Sequence, residues 1–215
     1  MPQAFSLRAD LVVKLVLIAL LVMAFVLLAF ASWSVASPSD NLSAVLQPIP
    51  FSHKHHVGDD GIDCRYCHTT VENSSSAGMP STDICLSCHS QLYKDAPLLA
   101  ALRNSAATGK PIAWNRVYDL PDFVFFNHSV HVAKGVACIE CHGRVDQMPL
   151  MWRTASLDMQ WCLACHRDPA PHLHPASEVF QMKDVHLDEA AHRQLVAHAH
   201  LESTRRLTDC STCHR

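Results

Sequence analysis

The stretch FNHSVHVAKGVACIECHG, residues 126–143, decides how this chain must fold. It places two histidines three residues apart, His128 and His131, and follows them with Cys138-Ile-Glu-Cys141-His142. C-x-x-C-H is the attachment sequence for c-type haem, in which two thiols bond the porphyrin and the adjacent histidine can ligate iron. The stretch therefore predicts a covalent haem site with two further histidines close to it.

The C-x-x-C-H sequence occurs five times and uses all ten cysteines of the 215-residue chain. We therefore predict five covalently bound haem c groups. Zinc ribbons would need C-x-x-C pairs in twos, and a disulfide framework gives no reason for five adjacent histidines. The predicted attachment residues are Cys64, Cys67, Cys85, Cys88, Cys138, Cys141, Cys162, Cys165, Cys210 and Cys213. The predicted proximal iron ligands are His68, His89, His142, His166 and His214.

A second stretch, FSHKHHVGDDGIDCRYCH at residues 51–68, repeats the first. Both contain F-x-H-x-x-H, and the first cysteine follows the second histidine by eight residues in one copy and seven in the other. A further C-x-x-C-H follows each copy, which indicates an internal duplication. Histidines three apart on a helical turn project from one side at different heights, so each can reach a different haem. The predicted distal iron ligands are His53, His56, His128 and His131.

The sequence does not decide which residue is the distal ligand of the fifth haem. Met148 or Met159, in the loop before the fourth haem, could supply a thioether and give one haem a higher potential. The rival candidates are His172, His174, His198 and His200.

An apolar segment from Leu11 to Ala36 contains one charge, Lys14, and is long enough to cross a bilayer. Arg8 and Lys14 precede it, so the positive-inside rule predicts a cytoplasmic N-terminus, with the haem domain on the periplasmic, extracytoplasmic side. A cleaved signal peptide is the alternative, because Ser34-Val35-Ala36 is typical of a cleavage site, but a signal core is normally shorter. We expect a retained single-pass anchor in the cytoplasmic membrane.

The fold predicted from these segments is mainly α-helical and irregular, with little sheet and with the haems as much of the core. Short helices are predicted around residues 96–104 and over 187–207. The net charge of −3 does not favour nucleic-acid binding. The expected organisation is a cytoplasmic N-terminus (1–10), an anchor (11–36), a tether (37–47), a first dihaem module (48–90), a spacer (91–120), a second dihaem module (121–168) and a C-terminal segment with the fifth haem (169–215).

The order of these motifs resembles a known family over nearly the whole chain. An anchor, FSHKHHV…DCRYCH, AGMPSTDICLSCH, FNHSVHVAKGVACIECHG, LDMQWCLACHRDP and a closing DCSTCHR together look like the pentahaem cytochrome c subunit of alternative complex III. The paired modules also resemble those of class III multihaem cytochromes. The resemblance implies electron transfer from quinol to a soluble acceptor. It also implies an iron–sulfur subunit, polytopic membrane subunits and a monohaem cytochrome c as partners.

Two other functions compete with an electron-transfer subunit. An anchored quinol dehydrogenase that works alone would place its first haem close to the membrane span, whereas residues 37–64 intervene here. A multihaem reductase needs an iron with an open position for its substrate, and the surplus of histidines argues against one. We therefore expect no catalytic residues and no enzymatic activity of the chain alone.

Overall fold

The computed structural model describes residues 7–36 and 43–214; the predicted cytoplasmic residues 1–6, most of the tether (37–42) and Arg215 lie outside the described residues. The chain divides into two compact units, residues 1–39 and 40–215. In its described residues the first unit consists of one helix, α1 (Leu7–Ala36). Within it, Arg8–Ser32 is long and apolar enough to cross a membrane. By its length and composition α1 is a candidate membrane span, as the hydropathy pattern predicts.

The second unit consists of short helices joined by irregular chain. The α-helices are α2 (Cys64–Cys67), α3 (Thr82–His89), α4 (Ala100–Thr108), α5 (His128–Ala133), α6 (Cys138–His142), α7 (Met159–Arg167), α8 (Glu189–Ala199), α9 (Thr204–Leu207) and α10 (Cys210–Cys213). A π-helical turn spans Lys54–Asp59, and 3₁₀ turns span Pro97–Leu99, Val145–Gln147 and Ala170–His172. The described residues contain two isolated β-bridges and no sheet, so the predicted fold class is confirmed.

The π-helical turn explains how the two F-x-H-x-x-H copies differ. After His128 the chain forms an ordinary α-helix, whereas after His53 it widens into a π-helical turn, Lys54–Asp59. A π turn accommodates one extra residue in a helix. The longer spacing, eight residues between His56 and Cys64 instead of seven, is thereby absorbed without moving the histidines away from the cysteines that follow.

The predicted helix over residues 187–207 is interrupted. Asp188 caps α8 by accepting a hydrogen bond from the backbone N–H of Ala191. The helix ends at His200, whose φ of 44° is left-handed, and α9 begins only after Ser203. The helix expected around 96–104 forms one turn of 3₁₀ helix and then α4, which Gly109 ends at a φ of 69°.

Candidate haem-binding sites

Each C-x-x-C-H sequence, numbered here as sites 1 to 5 in chain order, forms a short helical turn or the end of a longer helix. In sites 1 and 5 an aspartate stands directly before the first cysteine, and its carboxylate accepts a hydrogen bond from a backbone N–H of the turn. Such N-caps satisfy donors that a four-residue helix cannot pair internally. All ten cysteines are free thiols, and none is fully buried. Both thiols of each site are therefore available for covalent attachment.

The proximal histidines share one hydrogen-bond arrangement. Nδ1 donates to a backbone carbonyl in four of the five: to Gly78 O from His68 (2.8 Å), to Leu92 O from His89 (3.0 Å), to Leu207 O from His166 (2.9 Å) and to Phe123 O from His214 (3.2 Å). In the fifth, His142, Nδ1 is buried without a protein partner. A carbonyl only accepts, so the proton lies on Nδ1 and the lone pair on Nε2, as metal ligation requires.

The predicted distal histidines follow the same rule. Nδ1 of His56 donates to Ser52 O at 2.9 Å, and Nδ1 of His131 donates to Asn127 O at 2.7 Å, in both cases four residues back along the chain. Nδ1 of His128 donates to Ser75 O at 2.8 Å. Nδ1 of His53 is buried without a partner. Three of the four imidazoles therefore hold the Nε2 lone pair free, and the fourth has no competing hydrogen bond on Nδ1.

One phenylalanine orients both histidines of each copy. The Phe51 ring meets His53 edge-on (4.9 Å, 88°) and stacks on His56 (4.4 Å, 26°). The Phe126 ring meets His128 edge-on (4.7 Å, 87°) and stacks on His131 (4.6 Å, 27°). Edge-to-face and stacked contacts are the favoured arrangements of aromatic rings. The phenylalanine that both copies share therefore has a structural role, since it sets the two imidazole planes at a large angle to each other.

Three proximal histidines face a distal histidine from the duplicated stretches. The ring centroids are 6.2 Å apart for His56 and His89. They are 6.4 Å apart for His128 and His142, and 6.1 Å apart for His131 and His166. These separations exceed the 4.4–4.9 Å of the phenylalanine–histidine pairs. The two members of each pair thus enclose a space between them.

That space has the size of one metal ion with two axial imidazoles. A metal–nitrogen bond of about 2.0 Å on each side, with about 1.2 Å from each nitrogen to its ring centre, separates the centroids by about 6.4 Å. The three measured separations agree with this value to within a few tenths of an ångström. The protein residues therefore fit haem iron with two histidine ligands at sites 2, 3 and 4. Haem bound in this way supplies a one-electron carrier of low potential.

The remaining predicted pair, at site 1, is His53 with His68. The pKa of His53 is lowered to about 4, mainly by burial and also by the neighbouring charges of His68 and His56. Burial also lowers the pKa of His142 to about 4, with smaller contributions from His128, His68 and His53. Neutral imidazoles at neutral pH are the form that binds metal.

The two methionines proposed for the fifth site lie in different surroundings. Met148 is 1% exposed in the protein core, and its carbonyl accepts a hydrogen bond from the backbone N–H of Lys54. Met159 is 60% exposed at the first residue of α7. A methionine ligand at site 5 therefore stays a prediction.

The rival histidines differ in which ring nitrogen is engaged. Nε2 of His174 bonds Glu140 at 3.0 Å, and Nδ1 of His172 bonds the other oxygen of the same carboxylate at 2.7 Å. Nδ1 of His198 donates to Gln194 O at 2.7 Å, four residues back, as in His56 and His131. His172 and His198 therefore both leave Nε2 free, and only His198 of these two does so through the four-residue backbone hydrogen bond seen in His56 and His131.

The sequence names the candidate thiols and imidazoles but not which imidazole lies opposite which. The acceptor carbonyls of Gly78, Leu92, Leu207, Phe123 and Ser75 carry no side-chain signature, because any residue supplies a carbonyl. Gly78 is the exception, because its φ of 80° favours glycine. A Cβ at this position would also lie only 2.8 Å from the Thr70 hydroxyl oxygen, which leaves no room for a side chain.

Comparison with known proteins identifies sequence relatives of this chain. Residues 49–107 match the family model described as cytochrome c7 and related cytochrome c. Over 146 residues, 67% of the chain, it is 36% identical to the menaquinone reductase multihaem cytochrome c subunit of Nitratidesulfovibrio vulgaris (strain Hildenborough). The aligned region spans 62% of that relative's length. With its repeated attachment sequences and with residues 49–107 fitting the cytochrome c7 and related cytochrome c model, the chain is a multihaem cytochrome c.

Proposed function

We propose that this chain is a membrane-anchored pentahaem subunit that relays electrons from a quinol-oxidising membrane complex, of alternative complex III type, to a soluble acceptor on the periplasmic side. The observation that carries the proposal is the set of opposed imidazoles 6.1–6.4 Å apart. Two protein ligands on one iron leave no position for a substrate, which suits electron transfer and opposes a reductase.

In this proposal every site has two histidine ligands. Site 1 uses His68 with His53, site 2 His89 with His56, site 3 His142 with His128, and site 4 His166 with His131. Site 5 uses His214 with His198, because His198 is held by the same four-residue hydrogen bond as His56 and His131. Met148 and Met159 are then packing and surface residues respectively.

The chain has no catalytic residue of its own in this proposal, so quinone chemistry takes place on partner subunits. By the family resemblance these are an iron–sulfur subunit, polytopic membrane subunits and a monohaem cytochrome c. Helix α1 serves as the anchor, with the haem sites on the periplasmic side. The relative's name as a subunit of a menaquinone reductase supports a multisubunit quinone-linked assembly.

The same name favours a second candidate with the opposite electron flow, in which a soluble donor reduces the chain and the partner complex reduces menaquinone. The ligand geometry is the same for both directions. The second candidate therefore differs in its partners and potentials, not in the sites of this chain.

Purification of the chain with its partners from native membranes tests the proposal. We expect an intact mass with five haems, quinone-reactive subunits in the same complex and no carbon monoxide binding to this subunit when reduced. Rapid reduction of its haems by added quinol supports the first candidate, and oxidation of its prereduced haems by added quinone supports the second. Fewer than five haems, or stoichiometric carbon monoxide binding, would overturn the pentahaem relay.

A further inference from the structure

Sites 1 and 2 are joined directly through their attachment sequences. Tyr66, between the two cysteines of site 1, forms a hydrogen bond of 2.7 Å with the hydroxyl of Ser87, between the two cysteines of site 2. His53 and His56, which we assign to the two sites, stand on one helical turn. These two sites are therefore neighbours in space as well as in sequence.

Sites 1 and 3 are neighbours although site 2 stands between them in the sequence. The loop over residues 69–81 supplies two carbonyl acceptors. Gly78 O accepts a hydrogen bond from Nδ1 of His68, and Ser75 O accepts one from Nδ1 of His128, both at 2.8 Å. One loop thus holds the proximal ligand of site 1 and the distal ligand of site 3.

A second, separate segment also joins sites 1 and 3. The backbone N–H of Cys138 donates to Val179 O at 3.1 Å, and the thiol of Cys64 donates to the next carbonyl, Phe180 O, at 3.6 Å. The first cysteines of the two sites therefore lie side by side.

In space, site 4 lies next to site 3, and site 5 lies next to site 4. His128 and His131 on α5 face His142 and His166, so one helix serves sites 3 and 4. Nδ1 of His166 donates to Leu207 O at 2.9 Å, three residues before the first cysteine of site 5. Helix α7, which carries site 4, also packs against α9, which leads into site 5.

We infer that the five attachment sites follow one another in space in the order 2, 1, 3, 4, 5, with sites 2 and 5 at the two ends. The exposure of the thiols agrees with this order. Among the ten cysteines, Cys88 of site 2 and Cys210 of site 5 are the exposed ones, whereas the cysteines of sites 1, 3 and 4 are partly buried. Redox partners would accordingly contact the chain beside sites 2 and 5.

This inference rests on the proposed pentahaem function. The experiment below tests the order of the sites and the number of haems independently. The full chain in detergent micelles, fully reduced and diamagnetic, is studied by two-dimensional nuclear Overhauser spectra of the haem methyl and meso protons. The variants His56→Met and His128→Met assign sites 2 and 3 by shifting the resonances of those haems. His186→Ala is the matched control, because His186 is exposed and belongs to none of the proposed ligand pairs.

We expect cross-peaks between sites 1 and 2 and between sites 1 and 3, and none between sites 2 and 3. His128→Met should also shift resonances of sites 1 and 4 and leave sites 2 and 5 unshifted. Cross-peaks between sites 2 and 3 without any between 1 and 3 would overturn the order, even if the intact mass shows five haems. An intact mass with fewer haems would overturn the proposed function, while cross-peaks between sites 1 and 3 would still support the order.

Discussion

Removing the two histidines of one F-x-H-x-x-H copy one at a time tests the central geometry. His128 and His131 stand on one helix but face different proximal histidines, His142 at 6.4 Å and His166 at 6.1 Å. We expect His128→Ala to open one axial position at site 3 and His131→Ala to open one at site 4. Each single variant should therefore convert about one fifth of the total haem from low spin to high spin, and the double variant about two fifths.

The assay is carbon monoxide titration of the reduced protein, combined with electron paramagnetic resonance of the oxidised protein. Each single variant should bind one equivalent of carbon monoxide, and the double variant two. His186→Ala is the control, since this exposed histidine belongs to none of the proposed ligand pairs and its removal should leave all haems low spin. If both single variants alter the same haem signal, or if the double variant binds one equivalent, the assignment of the two histidines to different sites is wrong.

The remaining predictions concern the fifth site, the ring angles and pH. His198→Ala should produce one high-spin haem, whereas Met148→Leu and Met159→Leu should produce none; a high-spin haem in a methionine variant alone would restore the thioether ligand. The imidazole planes of His128 and His142 differ by 7°, so site 3 should give a rhombic low-spin resonance signal, whereas the 63° between His56 and His89 should give site 2 a large-gmax signal; identical signals would contradict these angles. Folding lowers the pKa values of His53 and His142 from 6.5 to about 4. The free energy of unfolding should therefore be highest above pH 6.5 and should decline towards pH 4 by about 1.4 kcal/mol per pH unit for each imidazole. Urea unfolding at several pH values measures this decline. A flat profile over that range would show that these imidazoles are not held neutral by burial.

The haem chemistry was readable from the sequence because covalent attachment needs a fixed local pattern. Two thiols and a histidine must lie on one helical turn, so C-x-x-C-H predicts ten attachment cysteines and five proximal ligands without any tertiary information. The distal histidines are predicted for a related reason, since a duplicated spacing from Phe51 and from Phe126 marks equivalent positions. The long apolar run before residue 37 likewise predicts helix α1 by composition alone.

Local details were less predictable where tertiary contacts decide them. The break at His200 within the expected 187–207 helix has no proline or glycine to announce it; there Lys134 donates hydrogen bonds to the carbonyls of Ala199 and His200 at 2.9 and 3.0 Å. The π-helical turn at Lys54–Asp59 was visible only as one extra residue in the spacing. A helix end stabilised by a side chain 65 residues away cannot be read from a local window.

The sequence by itself determined that this chain is a multihaem cytochrome, because the bond-forming residues of each site are contiguous. Only the tertiary structure decided which imidazole faces which, because that depends on backbone carbonyls and on the angle between rings, neither of which has a residue code. It also placed site 3 beside site 1 through the carbonyls of Ser75 and Gly78. The sites are numbered 1 to 5 along the chain, whereas we infer from their contacts that their order in space is 2, 1, 3, 4, 5.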